Sequence, residues 1–173
     1  VYKRLKTTGF KSNVMRECRE QFFDESFNVK IDANKDLIAF NNGVLDLTTI
    51  EFRDGKPDDY ISFSTGIDYE KDREYFEYPE WPKVEKFLSQ VLPDPEVRDY
   101  FIKHLATNLI GGNPAQKFHI LTGSGSNGKS MITNLMTKVL GDYACTVPIS
   151  LLTQKRKGSG NAAPEVTRLK GRR

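Results

Sequence analysis

One segment, residues 118–141, constrains the fold of this chain more than any other. It begins with the apolar run Phe118-His119-Ile120-Leu121 and ends with apolar side chains at helical spacing, just before Gly141. Between them lies the glycine-rich stretch Gly123-Ser124-Gly125-Ser126-Asn127-Gly128-Lys129-Ser130. A buried strand, a glycine-rich loop and an amphipathic helix in this order predict part of a parallel α/β sheet, with the loop at the carboxyl end of the strand.

The glycine-rich stretch matches the phosphate-binding pattern G-x-x-x-x-G-K-[ST]. Glycines allow successive backbone N–H groups to point at an anion, and the positive end of the following helix adds to the attraction. Lys129 would reach the β- and γ-phosphates of ATP, and the Ser130 hydroxyl would coordinate Mg²⁺. We therefore predict that all eight residues from Gly123 to Ser130 bind ATP, that Lys129 and Ser130 are catalytic, and that Mg²⁺ is a second cofactor.

The same glycines also spell a dinucleotide fingerprint, G-x-G-x-x-G, at Gly123, Gly125 and Gly128. That fold needs an acidic residue about 20 positions further on, at the end of the next strand, to hold a ribose. The candidate, Asp142, follows a glycine at a helix end and has no apolar strand before it. The fingerprint also leaves Lys129 without a role, so the phosphate-loop interpretation is preferred.

Several classes of protein are excluded by composition. No run approaches the roughly 18 apolar residues of a membrane span, and no signal segment opens the chain. Cys18 and Cys145 lie far apart, which argues against a disulfide scaffold and suits a reducing compartment. His104 and His119 lie in no zinc-binding pattern, and no G-x-S-x-G elbow is present. We interpret His119 as a core residue of the predicted strand.

The first 80 residues predict an accessory region with a helix and a β-hairpin. Apolar residues at helical spacing follow Thr8, which we expect to be the N-cap, and the helix should end near Phe23. The apolar runs 37–40 and 44–47 flank Asn41-Asn42-Gly43, and this turn sequence predicts a hairpin. Phe52 is expected to end a third short strand.

Residues 58–81 contain seven aromatic residues, which could in principle stack nucleic-acid bases. The same stretch holds eight acidic residues against Lys71 and Arg73, and this charge would repel a phosphate backbone. We therefore expect the aromatic side chains to pack against the helices that follow.

Residues 81–112 predict two antiparallel helices. The first begins at Trp81-Pro82, and the second is capped by Asp94 with Pro95 in its first turn and ends at Gly111-Gly112. The predicted domains are thus an accessory region (1–80), a helical pair (81–112) and the first part of a P-loop helicase ATPase domain (113–173). The predicted fold class is α/β: a helical and β-hairpin N-terminal region, then the incomplete start of an AAA+-like parallel-sheet domain.

Three stretches resemble superfamily 3 helicases of large DNA viruses, and more narrowly the poxvirus-type primase-helicases with their phage and plasmid relatives. They are residues 38–47 (Ile-Ala-Phe-Asn-Asn-Gly-Val-Leu-Asp-Leu), residues 67–69 and the loop, in which Asn127 directly precedes Gly-Lys-Ser. The resemblance covers essentially the whole chain. It implies that the full-length protein is a homo-hexameric, ATP-driven helicase acting on single-stranded or forked DNA. Other replication proteins would be its partners, at a cytoplasmic site in a virus-infected cell and without a membrane.

The chain departs from that family after residue 141. Family members continue with an apolar strand that ends in acidic residues, whereas no acidic residue ends the runs 147–152 or 166–169 here. The sensor residue, the DNA-contacting loop and the arginine finger are also missing. We take the chain to be a piece of a longer protein, and we predict that by itself it binds ATP weakly and hydrolyses it negligibly.

Two other functions stay open. The chain could belong to a P-loop NTPase or phosphotransferase with a non-nucleic-acid substrate, or it could be a docking module for replication partners with a structural P-loop. The charge leaves a similar choice. The net charge is +3, but residues 151–173 carry seven basic residues and one acidic residue, so the preceding residues are mildly acidic. This basic tail either contacts DNA or a neighbouring subunit, or is a solvated loop.

Overall fold

The computed structural model of the chain describes residues 2–113, 116–153 and 164–173. They fall into two units, Val1–Ile31 and Asp32–Arg173. The described residues form three strands, β1 (Leu37–Phe40), β2 (Gly43–Asp46) and β3 (Glu51–Arg53). The helices, in chain order, are α1 (Tyr2–Leu5), α2 (Thr8–Gln21), α3 (Phe27–Lys30), α4 (Trp81–Val91), α5 (Pro95–Thr107), α6 (Lys129–Leu140), α7 (Ser150–Thr153) and α8 (Pro164–Thr167). None of the helices in the described ranges is long and apolar enough to cross a membrane.

The first unit consists of α1, α2 and α3. The predicted helix is confirmed, but Thr8 is its first residue rather than its cap. Thr7 occupies the N-cap position without a capping hydrogen bond, because its hydroxyl donates to the carbonyl of Arg4 instead. The helix ends at Gln21, slightly earlier than expected, and Phe22 and Phe23 are exposed.

The sheet at the centre of the second unit is antiparallel, in the order β1-β2-β3. The predicted hairpin is confirmed, with Phe40 opposite Gly43 at its turn. The third strand is confirmed as well and ends one residue after Phe52. The free edge of β1 is covered by the segment after the sheet, because Ala39 O accepts the N–H of Thr65 at 3.0 Å.

The core of this unit joins the sheet to the carboxyl end of α6. Ile38, only 1% exposed, packs with Leu140 and Tyr143. The Tyr143 hydroxyl accepts the N–H of Ala39 at 2.9 Å and donates to the carbonyl of Phe63 at 3.2 Å. Since Tyr143 follows α6 directly, this contact fixes the helix against the sheet.

The aromatic stretch 58–81 packs against the following helices, as expected, and also against the sheet. Tyr69 contacts the rings of Phe40 and Phe52, with centroid distances of 5.1 and 4.9 Å. Tyr75 contacts Trp81 of α4 at 4.6 Å, and Phe63 packs on the core that includes the end of α6. Tyr75 itself stays exposed. Tyr69 and Tyr75 therefore contact other aromatic side chains of the protein, as the packing interpretation expects.

The helical pair begins where the sequence predicts. The Asp94 carboxylate accepts the N–H groups of Glu96 and Val97 at 2.9 and 3.3 Å, which caps α5. The predicted end at Gly111-Gly112 is wrong, since α5 ends at Thr107. The Asn108 side chain donates to the carbonyls of the last turn and ends the helix earlier.

Residues 118–121 form no strand, which corrects the prediction of a parallel sheet. Phe118 is 82% exposed, and His119 is exposed as well, so the interpretation of His119 as a core residue is wrong. A parallel strand requires a neighbour to share its hydrogen bonds, and no segment within the described ranges pairs with these residues. The observed fold is a mixture of helices and a small antiparallel sheet.

Candidate functional site

The glycine-rich loop leads directly into α6, which begins at Lys129 and spans 12 residues. Three loop residues, Gly125, Ser126 and Gly128, have left-handed backbone conformations, with φ of +90°, +48° and +82°. Left-handed residues next to residues of ordinary φ turn successive N–H groups to one side, as in anion-binding nests. Three of the eight loop residues therefore have the left-handed conformation that occurs in such nests.

Gly128 has a packing role in addition to its conformation. A Cβ at this position would overlap the side chain of Val91, at the end of α4. On the other side, Gly128 O accepts the N–H of Ile132 in the first turn of α6. The loop is thus held between the end of α4 and the start of α6.

The Lys129 side chain folds back across the loop. Its Nζ donates to Asn127 Oδ1 at 2.6 Å. A Cβ at Gly123 would overlap Asn127 Nδ2 and would lie 3.0 Å from Lys129 Nζ. Both side chains therefore occupy the space over Gly123.

The donors at the loop fit Mg²⁺ that is bound together with phosphates. Ser130 is exposed in the first turn of α6. In the part of the chain that the structure describes, no group of three or more His, Cys, Asp or Glu side chains could hold a metal ion. Mg²⁺ keeps several waters and uses few protein oxygens where phosphates supply the rest. Ser130 would be the protein ligand.

Asp142, the acidic residue on which the dinucleotide alternative depends, lies at the far end of α6. A 12-residue helix is about 18 Å long, so this carboxylate is far from the loop. Its Oδ2 accepts the N–H of Ser64 at 3.2 Å. Asp142 therefore has a structural contact, and its position argues against the dinucleotide alternative.

The apolar face of α6 divides into two. Ile132 and Leu140 are buried, and Met136 packs on the core with them. The other apolar residues that the sequence assigned to this face, Met131, Leu135 and Val139, are exposed. The helix is thus anchored along one stripe only.

The two histidines of the chain, which the sequence places 15 positions apart, are stacked beside α6. The ring centroids of His104 and His119 are 3.4 Å apart at an interplanar angle of 32°. They border a cavity of about 230 Å³ that also touches Ile132 and Met136. Burial, with a smaller contribution from the charge of His119, lowers the pKa of His104 below its usual 6.5. No sequence signal predicted this pairing.

Comparison with known proteins identifies the family. Residues 1–93 match the family described as D5 N terminal like, which is more than half of the chain. The chain belongs to the D5 N-terminal-like family. The matched region ends just after α4, so Val91, which supports Gly128, lies inside it, whereas the glycine-rich loop lies beyond it.

Relatives of this D5 N-terminal-like chain occur in large DNA viruses, which confirms the resemblance noted from the sequence. "Putative helicase L207/L206" of Acanthamoeba polyphaga mimivirus is 41% identical over 99% of the chain and 18% of its own length. "Putative helicase 184R" of Invertebrate iridescent virus 6 is 33% identical, over 96% of the chain and 17% of its own length. "Putative primase C962R" of African swine fever virus (isolate Tick/Malawi/Lil 20-1/1983) is 31% identical, over 95% of the chain and 17% of its own length. The chain thus spans less than a fifth of each.

The end of the D5 N-terminal-like chain corrects the interpretation of the basic tail. The Arg173 guanidinium donates to the carbonyls of Lys35, Leu37 and Leu109 and lies 4.7 Å from the ring centroid of Tyr143. Burial lowers the pKa of Arg173 from its usual value. Arg172 stacks on Phe63 at 4.3 Å. These two arginines therefore pack within the second unit. Lys155-Arg156-Lys157, the other basic cluster of the tail, lie outside the described residues.

Proposed function

We propose that this chain is the ATP-binding portion of a viral DNA replication helicase of the superfamily 3, primase-helicase type. The full-length protein would couple ATP hydrolysis to the unwinding of DNA, as a homo-hexamer. The observation that carries the proposal is the loop itself: Lys129 lies over Gly123 at the positive end of a 12-residue helix. The names of the relatives support the helicase part of the proposal.

Different groups of the loop would bind different parts of the ATP–Mg²⁺ complex. Backbone N–H groups between Ser124 and Lys129 would donate to the phosphate oxygens of ATP, and the start of α6 would add its partial positive charge. Lys129 Nζ would contact the β- and γ-phosphates, and the Ser130 hydroxyl would hold Mg²⁺. Bound Mg²⁺ would supply further neutralisation of the phosphate charge. These residues bind and orient the nucleotide.

Hydrolysis requires more than binding. A water has to be positioned and activated, and the loop residues 123–130 themselves include no carboxylate to do so. We therefore expect the 173-residue chain to bind ATP without appreciable turnover, and the longer protein to supply the remaining groups.

Nucleotide binding is tested by replacing the lysine. Lys129→Ala removes a charged hydrogen-bond donor, which is worth about 1.5–3 kcal/mol, so affinity for a fluorescent ATP analogue should fall by at least about tenfold. Lys138→Ala is the matched control, because Lys138 lies in the last turn of the same helix. Equal affinity of both variants and the unchanged chain would show that the loop is only structural.

The helicase part is tested on the longer protein. Single-stranded DNA should stimulate its ATPase, Lys129→Ala should abolish that activity, and sedimentation should show a hexamer. An ATPase that ignores DNA would favour an NTPase or phosphotransferase with another substrate.

A docking function is favoured by one observation in the first unit. This unit has no buried side chain in α2, and it exposes several large apolar side chains, namely Val14, Met15, Phe22, Phe23 and Val29. Such surfaces mark interaction sites more often than isolated apolar residues do. If Lys129→Ala leaves nucleotide binding unchanged, docking becomes the better account.

A further inference from the structure

The Asn127 side chain spans the glycine-rich loop from one end to the other. Its Oδ1 accepts the Lys129 ammonium at 2.6 Å, and its Nδ2 fills the space that a side chain at residue 123 would take. A Cβ at residue 123 would therefore displace the Asn127 amide. The amide and the ammonium form a hydrogen-bonded pair over the start of the loop.

A phosphate oxygen that binds Lys129 has to share its ammonium with Asn127. The ammonium has three N–H donors, and Asn127 Oδ1 accepts one of them at the short distance typical of a charge-assisted hydrogen bond, so a phosphate oxygen that takes this donor has to displace the amide oxygen. Asn127 is exposed while Lys129 is half-buried, so the amide can swing into solvent more easily than the lysine can move. The exchange would move Asn127 and leave Lys129 in place.

We propose that Asn127 is a positioning residue that acts through Lys129. Its amide holds the ammonium over Gly123 and is displaced when Lys129 contacts phosphate, so Asn127 keeps the lysine ordered but lowers the affinity for nucleotide. This inference rests on the proposed function of the loop and specifies how that site is regulated. The ligand it concerns is the phosphate chain of a nucleoside triphosphate.

The proposal predicts opposite effects for two substitutions. Asn127→Ala removes the competing acceptor, and affinity for nucleotide should rise about threefold to fivefold, as expected for the loss of one exposed hydrogen bond. Asn127→Asp places a carboxylate beside Lys129, which strengthens the competing pair and repels phosphate, so affinity should fall by about tenfold or more. Asn127 does not have a positive φ, so neither substitution strains the backbone.

The experiment measures the affinity of the 173-residue chain for a fluorescent ATP analogue in the presence of Mg²⁺. Asn134→Ala is the control, since Asn134 is an exposed asparagine on α6, the helix that follows the loop. The double variant Asn127→Ala with Lys129→Ala should bind no better than Lys129→Ala alone, because the amide acts only through the ammonium. A merely structural asparagine would not produce this coupling.

The outcomes separate this inference from the proposed function. If the unchanged chain binds the analogue and Lys129→Ala weakens binding by about tenfold or more, the proposed function stands. If Asn127→Ala then weakens binding or leaves it unchanged, the role of Asn127 is refuted alone. If the unchanged chain binds no nucleotide, both proposals are overturned.

Discussion

The hydroxyl of Tyr143 offers the sharpest test of how the second unit is assembled. Tyr143 is 3% exposed, and its hydroxyl joins the N–H of Ala39 in β1 to the carbonyl of Phe63. Tyr143→Phe removes this oxygen but keeps the ring against Phe63, at a centroid distance of 5.8 Å. The substitution therefore removes the hydrogen bonds of the hydroxyl and leaves the packing of the ring in place.

Tyr143→Phe should lower the free energy of unfolding because it leaves a backbone group without a hydrogen-bond partner. The N–H of Ala39 faces away from β2 at this position, and its partner is the Tyr143 hydroxyl. A buried polar group without a partner costs about 1–3 kcal/mol, so we expect Tyr143→Phe to lower the free energy of unfolding by about 2 kcal/mol. For a chain of this size, that loss corresponds to about 4–8 °C in Tm.

Urea unfolding followed by circular dichroism measures this change. With a slope of about 2 kcal/mol per molar urea, the midpoint should move by about 1 M. Tyr100→Phe is the matched control, because Tyr100 is exposed and its hydroxyl lies 3.4 Å from His119 Nε2. A change below about 0.5 kcal/mol for Tyr143→Phe would refute the view that this hydroxyl ties α6 to the sheet, since that is the range of neutral surface substitutions.

Three further predictions concern charge and backbone. Arg53 donates two hydrogen bonds to Asp59 and lowers the pKa of that carboxyl from 3.8 to about 2. The contribution of this pair to the free energy of unfolding is therefore fully present above pH 3.8 and is lost as the pH falls towards 2. Asp59→Asn should remove this acid dependence and lower the free energy of unfolding by about 1 kcal/mol at neutral pH, as measured by urea unfolding at several pH values. An unchanged loss of stability at acid pH would contradict this prediction. His119→Ala should raise the pKa of His104 towards 6.5, as followed by NMR, and no change would show that the stacked rings do not influence each other. Gly128→Ala should destabilise the chain by about 1–2 kcal/mol and abolish nucleotide binding, because of the left-handed φ and the overlap with α4; unchanged thermal stability would argue against this loop conformation.

Elements with local signals were predicted well. The hairpin follows from Asn41-Asn42-Gly43, the start of α5 from Asp94-Pro95, and the end of α6 from Gly141. Each signal acts through hydrogen bonds and dihedral angles within a few residues, so no distant part of the chain is needed. The helix end at Asn108 was missed because a side chain capped the last turn before the glycines were reached.

Elements that depend on distant partners could not be read from the sequence. The run at residues 118–121 has the composition of a buried strand, but a strand forms only where another segment accepts its hydrogen bonds, and none of the described segments does. Arg173 looks like part of a solvated basic tail, yet three backbone carbonyls and the Tyr143 ring surround its guanidinium. In both cases the conformation depends on residues that are distant in the sequence.

The candidate site divides in the same way. The eight residues of the glycine-rich loop, the helix that follows and the family resemblance are evident from the sequence, because the glycines, Lys129 and Ser130 are adjacent in the chain. The contacts of the loop come from the fold: Val91 of α4 supports Gly128, Asn127 holds Lys129 over Gly123, and Tyr143 anchors the far end of α6. The reason is physical: backbone conformation is set by neighbouring residues, whereas packing is set by whichever surfaces the folded chain brings together.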